Sequence, residues 1–219
     1  MDQDIQDILA SVSAPTIPQR SIDLQALTRA WVQERTSPEL LPYPSDLIER
    51  TMERLKKQID NIENMTGTMD PQANFTLVIF QTELERFKFL IRSFLRARIA
   101  KIDKFAQHYL AQPDCLSPLE REYLHAHSSL LSAHYSTSFL SSFPIQLQKL
   151  DDTTGGISMV DKPDEDTAVF CRVLRDILEP VEVYGESETN DVELRRGDVW
   201  VLRWSAVREA VIRGDIELI

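Results

Sequence analysis

The sequence predicts a mainly α protein, with an N-terminal helical bundle domain followed by a small β-rich C-terminal domain. Three observations predict it. Apolar residues recur at helical spacing from Ser21 until Pro144 interrupts them, the stretch from about 75 to about 112 holds that period without Gly or Pro, and at Asp151 the texture changes to short Val-rich runs broken by turn residues. With 42% hydrophobic and 27% charged residues among 219, the chain can bury a real core. It divides into a disordered tail over 1–20, a helical domain over 21–150, a linker over 151–158 and a β-rich domain over 159–219.

Asp23 is a plausible cap for a first helix with Leu24, Leu27 and Trp31 on one face, and Pro38 ends the turn region. After Pro42 and Pro44, Ser45 caps a second helix whose stripe is Ile48, Met52, Leu55, Ile59 and Ile62, with Gly67 near its end. In the third segment Leu77, Leu84 and Ile91 lie seven apart, joined by Phe80, Phe87, Phe94, Leu95, Ile102, Phe105 and Tyr109. Unbroken, that helix is roughly 55 Å long, against a diameter of about 40 Å for a compact domain, so one end overhangs or the domain is elongated. Apolar overhang implies a partner. A fourth helix opens on Ser117-Pro118-Leu119-Glu120, a capping box with proline at the first helical position, and Leu119, Tyr123, Ala126, Leu130 and Ala133 continue one face.

Beyond the Gly155-Gly156 junction, strands are expected near 169–173, 181–183, 192–194 and 199–203, with turns around Gly185 and at Gly197 and Asp198. A short helix over 205–213 and a strand over 216–219 close the chain. At roughly 60 residues this module is near the lower limit for a self-sufficient core and should lean on a neighbour.

Composition narrows the function. A net charge of -11 argues against a protein that coats nucleic acid through overall charge. Cys115 and Cys171 lie far apart and read as small hydrophobes in a reducing compartment. No run of about 18 apolar residues offers a membrane span, and the acidic start is unlike a secretory signal, so a soluble intracellular protein without membrane contact is expected. No phosphate loop surrounds Gly155 and Gly156, and Ser128, Ser129, Ser138, Ser141 and Ser142 lack an elbow motif. His108, Cys115, His125, His127 and His134 lack a ligand set at metal spacing, and Asp161, Asp164, Glu165 and Asp166 read as a solvated turn. The expectation is no catalytic residue, no metal and no cofactor.

The third segment carries Arg86, Lys88, Arg92, Arg96, Arg98, Lys101 and Lys104 against Glu83, Glu85 and Asp103, a net of plus four in an acidic protein. Three readings compete: a bundle helix whose cation heads pair with carboxylates, a protein interface anchored by arginines, and direct DNA contact. The alternative to an interaction subunit is therefore an independent nucleic-acid-binding module using this helix.

Four segments carry a resemblance: LTRAWVQERTSPELL at 27–41, ELERFKFLIRSFLRARIAKIDKF at 83–105, MVDKPDEDTAVFCRV at 159–173 and GDIELI at 214–219. On them the chain resembles the Sld-five (Go) subunits of the eukaryotic GINS complex, on the fungal side of that family. The order of helical domain first and β domain second is similar to the Sld-five and Psf-one types, whereas the Psf-two and Psf-three types carry the permuted order. The resemblance implies a nuclear, non-catalytic subunit of a heterotetramer with Psf-one, Psf-two and Psf-three types. It also implies action in DNA replication with the Mcm hexamer and the Cdc-forty-five protein, any DNA contact being indirect or weak. Carried over from the central motif as a subunit-packing helix are Phe94, Leu95, Arg96, Arg98, Lys101 and Ile102, and from the start of the β domain Val160, Pro163, Asp164, Val169 and Phe170. The tail DIQDILA at 4–10 resembles the peptide with which fungal subunits dock on the Ctf-four hub, through Ile5, Asp7, Ile8 and Leu9, with Gln6 where an acid is expected.

Overall fold

A computed structural model describes residues 18–65, 71–151, 158–184 and 189–219. The fold class is the one the sequence predicts. Helix α1 (Gln19–Thr36) starts directly after Pro18, whose fixed φ suits a helix entry. Asp23 is therefore not its cap. It lies a turn inside the helix, buried, where its carboxylate meets Arg54 at 2.9 Å and Arg50 at 3.5 Å across to α2 (Ser45–Met65). Within the expected α2 stripe Ile48 and Ile62 are buried, while Met52 is exposed and Thr51 takes the inward position beside Ile48.

Helix α3 (Pro71–Lys104) runs 34 residues, about 51 Å. It stops before the expected end although no Gly or Pro intervenes. Phe105 leaves helical geometry (φ -120°, ψ 39°), and α4 (Ala106–Ala111) resumes the helix directly after it. Tertiary packing explains the break: it brings Phe105, Ala106 and Tyr109 together into a core with Leu40, Ile102, Leu116 and Leu124. Helix α5 (Pro118–Ser138) begins with the expected capping box, Ser117 Oγ accepting from the Glu120 N–H and the Glu120 carboxylate accepting from the Ser117 N–H.

The C-terminal module contains β1 (Ala168–Val173), β2 (Ile177–Tyr184), β3 (Thr189–Leu194), β4 (Val199–Arg203), α6 (Trp204–Arg213) and β5 (Ile216–Leu218). An antiparallel sheet has the order β4-β1-β5, and β2 with β3 forms a separate hairpin. Period-two alternation in β1 turns Val169, Cys171 and Val173 inward and Phe170 and Arg172 outward. Gly197 and Gly214 supply the left-handed backbone needed in the β3–β4 turn and at the end of α6. The turn expected around Gly185 and most of the expected linker lie outside the described residues.

The neighbour on which this module leans is its own helical domain. Leu40 belongs to the helical core and Leu41 to the β core around Trp204, so adjacent leucines plug two different cores. Two ion pairs flank the junction: Arg29 with Glu217 at 2.8 Å, and Arg208 with Glu39.

Candidate interaction surfaces

The central motif of α3 first has an internal duty. Arg98 is 0% exposed, and each of its five N–H groups has an acceptor. Nε and Nη2 donate to the Glu120 carboxylate at 2.6 and 3.0 Å, Nη1 to Glu34 at 3.0 Å and to the Leu41 carbonyl at 2.7 Å, and Nη2 also to the Cys115 carbonyl at 2.8 Å. Lys101 Nζ spends its three protons on Glu34, Ser37 Oγ and the Glu39 carbonyl, each at 2.8 Å. Two cations and two carboxylates thus balance in the interior and tie α1, the connection over 37–43, α3 and α5 together. Burial pulls the Arg98 guanidinium down, but the Glu120 hydrogen bond and the Glu34 and Glu120 charges override it and hold it above its ordinary value. For Lys101 burial prevails and the ammonium is shifted down.

Phe94 and Ile102 are buried beside this cluster, so with Arg98 they face the chain's own core, while Leu95 is half-buried and Arg96 exposed. In the β module Pro163 and Val169 are buried and Val160 half-buried. Asp164 is exposed and shapes a turn, accepting from the Asp166 N–H at 3.0 Å and the Thr167 hydroxyl at 3.1 Å. Phe170 points outward at 60% exposure, in a patch with Val199, Val201 and Ile219. Ile5, Asp7, Ile8 and Leu9 lie outside the described residues. Sequence reasoning missed Glu34 and Glu120 as partners of Arg98. Glu120 had a signal in the capping box, whereas nothing local to Glu34 marks it.

The open surface lies elsewhere. Helices α1, α2 and the first half of α3 frame a cleft of about 1210 Å³, floored by Leu24, Leu55, Phe80, Leu84, Phe87 and Leu90 and edged by Arg20, Arg54 and Arg86. Among the described residues no acceptor meets the buried Arg54 Nη1. Beside the cleft, α3 exposes Phe75 (70%), Val78 and Ile79. On α5 the face Leu119, Tyr123, Ala126, Leu130 and Ala133 does not join the bundle core. Glu120 and Leu124 take the inward positions, leaving Leu119 78% and Leu130 68% exposed.

Among the described residues no group of three His, Cys, Asp or Glu side chains is placed to hold a metal ion, and no helix is long and apolar enough to cross a membrane. His127 stacks on Tyr123, with Nε2 3.7 Å from Asp103. Burial pushes the Cys115 and Cys171 thiols up, away from the thiolate. Of the seven cations on α3, Arg98 and Lys101 are consumed internally and Lys88 pairs with Glu85 at 2.9 Å.

Comparison with known proteins fits this picture of a binding subunit. Residues 47–139 match the family model described as the GINS complex protein helical bundle domain, and residues 163–219 match that of the DNA replication complex GINS protein SLD5 C-terminus. The chain is 49% identical over 223 residues to the DNA replication complex GINS protein SLD5 of Chaetomium globosum, covering 99% of this chain and 100% of that one. It is 39% identical over 222 residues to the Schizosaccharomyces pombe protein of that name, with both chains covered completely. To the Yarrowia lipolytica protein it is 36% identical over 225 residues, 99% of this chain and 85% of the relative. With both its helical bundle and its C-terminal module matched, the chain belongs to the SLD5 family of GINS subunits, proteins of the DNA replication complex.

Proposed function

We propose that this chain is a non-catalytic, nuclear subunit of a GINS heterotetramer, built with Psf-one, Psf-two and Psf-three type subunits. That tetramer acts with the Mcm hexamer and the Cdc-forty-five protein in the replicative helicase. The observation that carries the reading is the cleft of about 1210 Å³ between α1, α2 and α3, with its largely apolar lining. That lining is half-buried, and α3 continues it into the exposed Phe75, Val78 and Ile79, an apolar surface of the kind that marks interaction sites. Residues 4–10, with Ile5, Asp7, Ile8 and Leu9, serve in this reading as a separate peptide for the Ctf-four hub.

Co-expression of the chain with the three partner subunits tests assembly. One stable four-subunit complex is expected. The double substitution Phe75→Asp, Ile79→Asp should weaken assembly by about a hundred-fold or more, because truncating interface anchors costs about 2–4 kcal/mol and an unpaired carboxylate adds to that. Both positions are exposed in the chain itself, so the fold should survive. A monodisperse chain that ignores all three partners would refute the proposal. For the tail, Ile8→Ala with Leu9→Ala should abolish hub binding and leave the tetramer intact, and unchanged hub affinity would remove that part.

A further inference from the structure

The cleft between α1, α2 and the first half of α3 also fits a segment of the chain itself, an inference that rests on the assembly reading above. Ile5, Ile8, Leu9 and Val12 recur at i, i+3, i+4 and i+7, one face of a helix about 10 Å long. Continued back to residue 2, such a helix has Asp2 and Asp4 on the two flanks of that stripe and Asp7 opposite. These are the only charged side chains among residues 1–17. Pro18, where the segment joins α1, is part of the cleft lining. The six residues from Ser13 to Pro18 span up to about 20 Å, and the floor from Phe80 to Leu90 runs about 15 Å along α3, so the stripe reaches any part of it.

Size, charge and tethering select this occupant. At about 1210 Å³ the cleft exceeds the roughly 300–1,000 Å³ of small-molecule pockets, and an apolar floor of this kind receives the apolar face of a helix. On its rim Arg54 is held by Asp23 and Glu85 by Lys88. Arg20 and Arg86 are exposed and meet no carboxylate among the described residues, against a single unpaired Glu83, so the uncompensated rim is positive and the segment negative. Tethering gives the segment an effective concentration of about 1 mM, so a local dissociation constant of about 0.25 mM already fills the cleft about four-fifths of the time. We propose that before assembly Ile5, Ile8, Leu9 and Val12 seat on the floor of this cleft, with Asp2 and Asp4 toward its arginine rim, and that the subunit covering the cleft on assembly displaces them and frees the tail to bind elsewhere.

Hydroxyl-radical footprinting of the full chain, alone and dilute, tests this at Phe80 and Phe87, which are half-buried in the cleft. Ile8→Asp with Leu9→Asp should raise the oxidation of both by about five-fold, the ratio set by four-fifths occupancy, and leave the exposed Phe170 of the β module unchanged. Arg20→Glu with Arg86→Glu, which keeps the tail intact, should raise it by about three-fold, since two exposed ion pairs are worth only a few-fold in affinity. In the four-subunit complex Phe80 and Phe87 should be protected alike in the parent and in the tail variant. Unchanged oxidation in the lone tail variant would overturn the proposal, and a complex that still assembles would keep the assembly reading standing. Protection that rises with the concentration of the lone parent chain would overturn it in favour of a tail seated on a second copy. Loss of protection in the complexed tail variant would overturn the displacement step, because the tail would then still occupy the cleft. If the lone chain shows the tail contact but no complex forms, the assembly reading falls and the displacement step with it.

Discussion

Arg98→Met is the substitution with the largest consequence the structure allows to be worked out. Methionine keeps much of the stem packing beside Phe94 and Tyr43 and removes the charge. Glu34 keeps Lys101, and Glu120 keeps the Ser117 N–H, but two buried carboxylates then share one buried cation. Removing one partner of a buried pair costs about 3–5 kcal/mol, and the Leu41 and Cys115 carbonyls left without a donor add about 1 kcal/mol each. The expected loss is therefore on the order of 5 kcal/mol, comparable to the entire stability of many domains. With a urea slope of about 2 kcal/mol/M, the unfolding midpoint of the full chain should fall by about 2.5 M. Tryptophan fluorescence can follow it, because Trp204 sits in the β core that Leu41 joins to this cluster. A midpoint within about 0.5 M of the parent would refute the reasoning, since a midpoint shift at fixed slope measures the stability change directly.

The remaining expectations concern single polar contacts. Burial pushes the Tyr109 phenol from 10.0 up to about 12. Its contribution is fully present below about pH 10 and is lost as pH rises through about 12, by roughly 2.7 kcal/mol for two units. Unfolding of Tyr109→Phe over that range should lack this alkaline limb while giving up the Leu40 N–H acceptor at neutral pH. For Asp23, burial raises the carboxyl, but hydrogen bonds from Gln19 and Arg54 and the charges of Arg54 and Arg50 outweigh it, so the net direction is down. That contribution is present above its unfolded value near pH 4 and is lost as pH falls below it, so Asp23→Asn should be less stable at neutral pH and flatter in an acid titration. Glu39→Gln removes the charge facing Arg208 at the module junction, and amides of α6 and β5 should exchange up to about ten-fold faster while those around Arg98 stay protected.

The legibility of the sequence followed the range of the forces involved. Local chemistry was readable: the capping box at Ser117, the proline entry of α5 and the strand expected near 169–173 depend on a few neighbouring residues and were recovered almost to the residue. Long-range choices were not. Asp23 has the residue type of a helix cap, yet Arg54, 31 residues on, makes it a buried ion-pair partner. Nothing in the third segment hints at a break at Phe105, because the cause is a shared core with Leu40, 65 positions earlier. The α5 face was read as one continuous face, and the structure leaves Leu119 and Leu130 exposed on it. Periodicity reports that a stripe is apolar and cannot report whether the chain or a neighbour buries it.

The cations of α3 resolve in the same terms. Spacing along one helix cannot separate an arginine that touches a partner from one that holds the bundle, since both lie on turns of the same period. Glu34 and Glu120 decide the matter for Arg98, reaching it from 64 and 22 residues away. A fully satisfied guanidinium has fixed directions, so the cluster sets the angles at which α1, α3 and α5 meet. Those angles position both open surfaces, the cleft along the first half of α3 and the exposed face along α5. Leu40 and Leu41 extend the same registration into the β module, because the Leu41 carbonyl that receives Arg98 Nη1 belongs to the residue whose side chain fills the other core. The motif that most resembles an interface is thus, at Arg98 and Lys101, an internal bracket of the bundle.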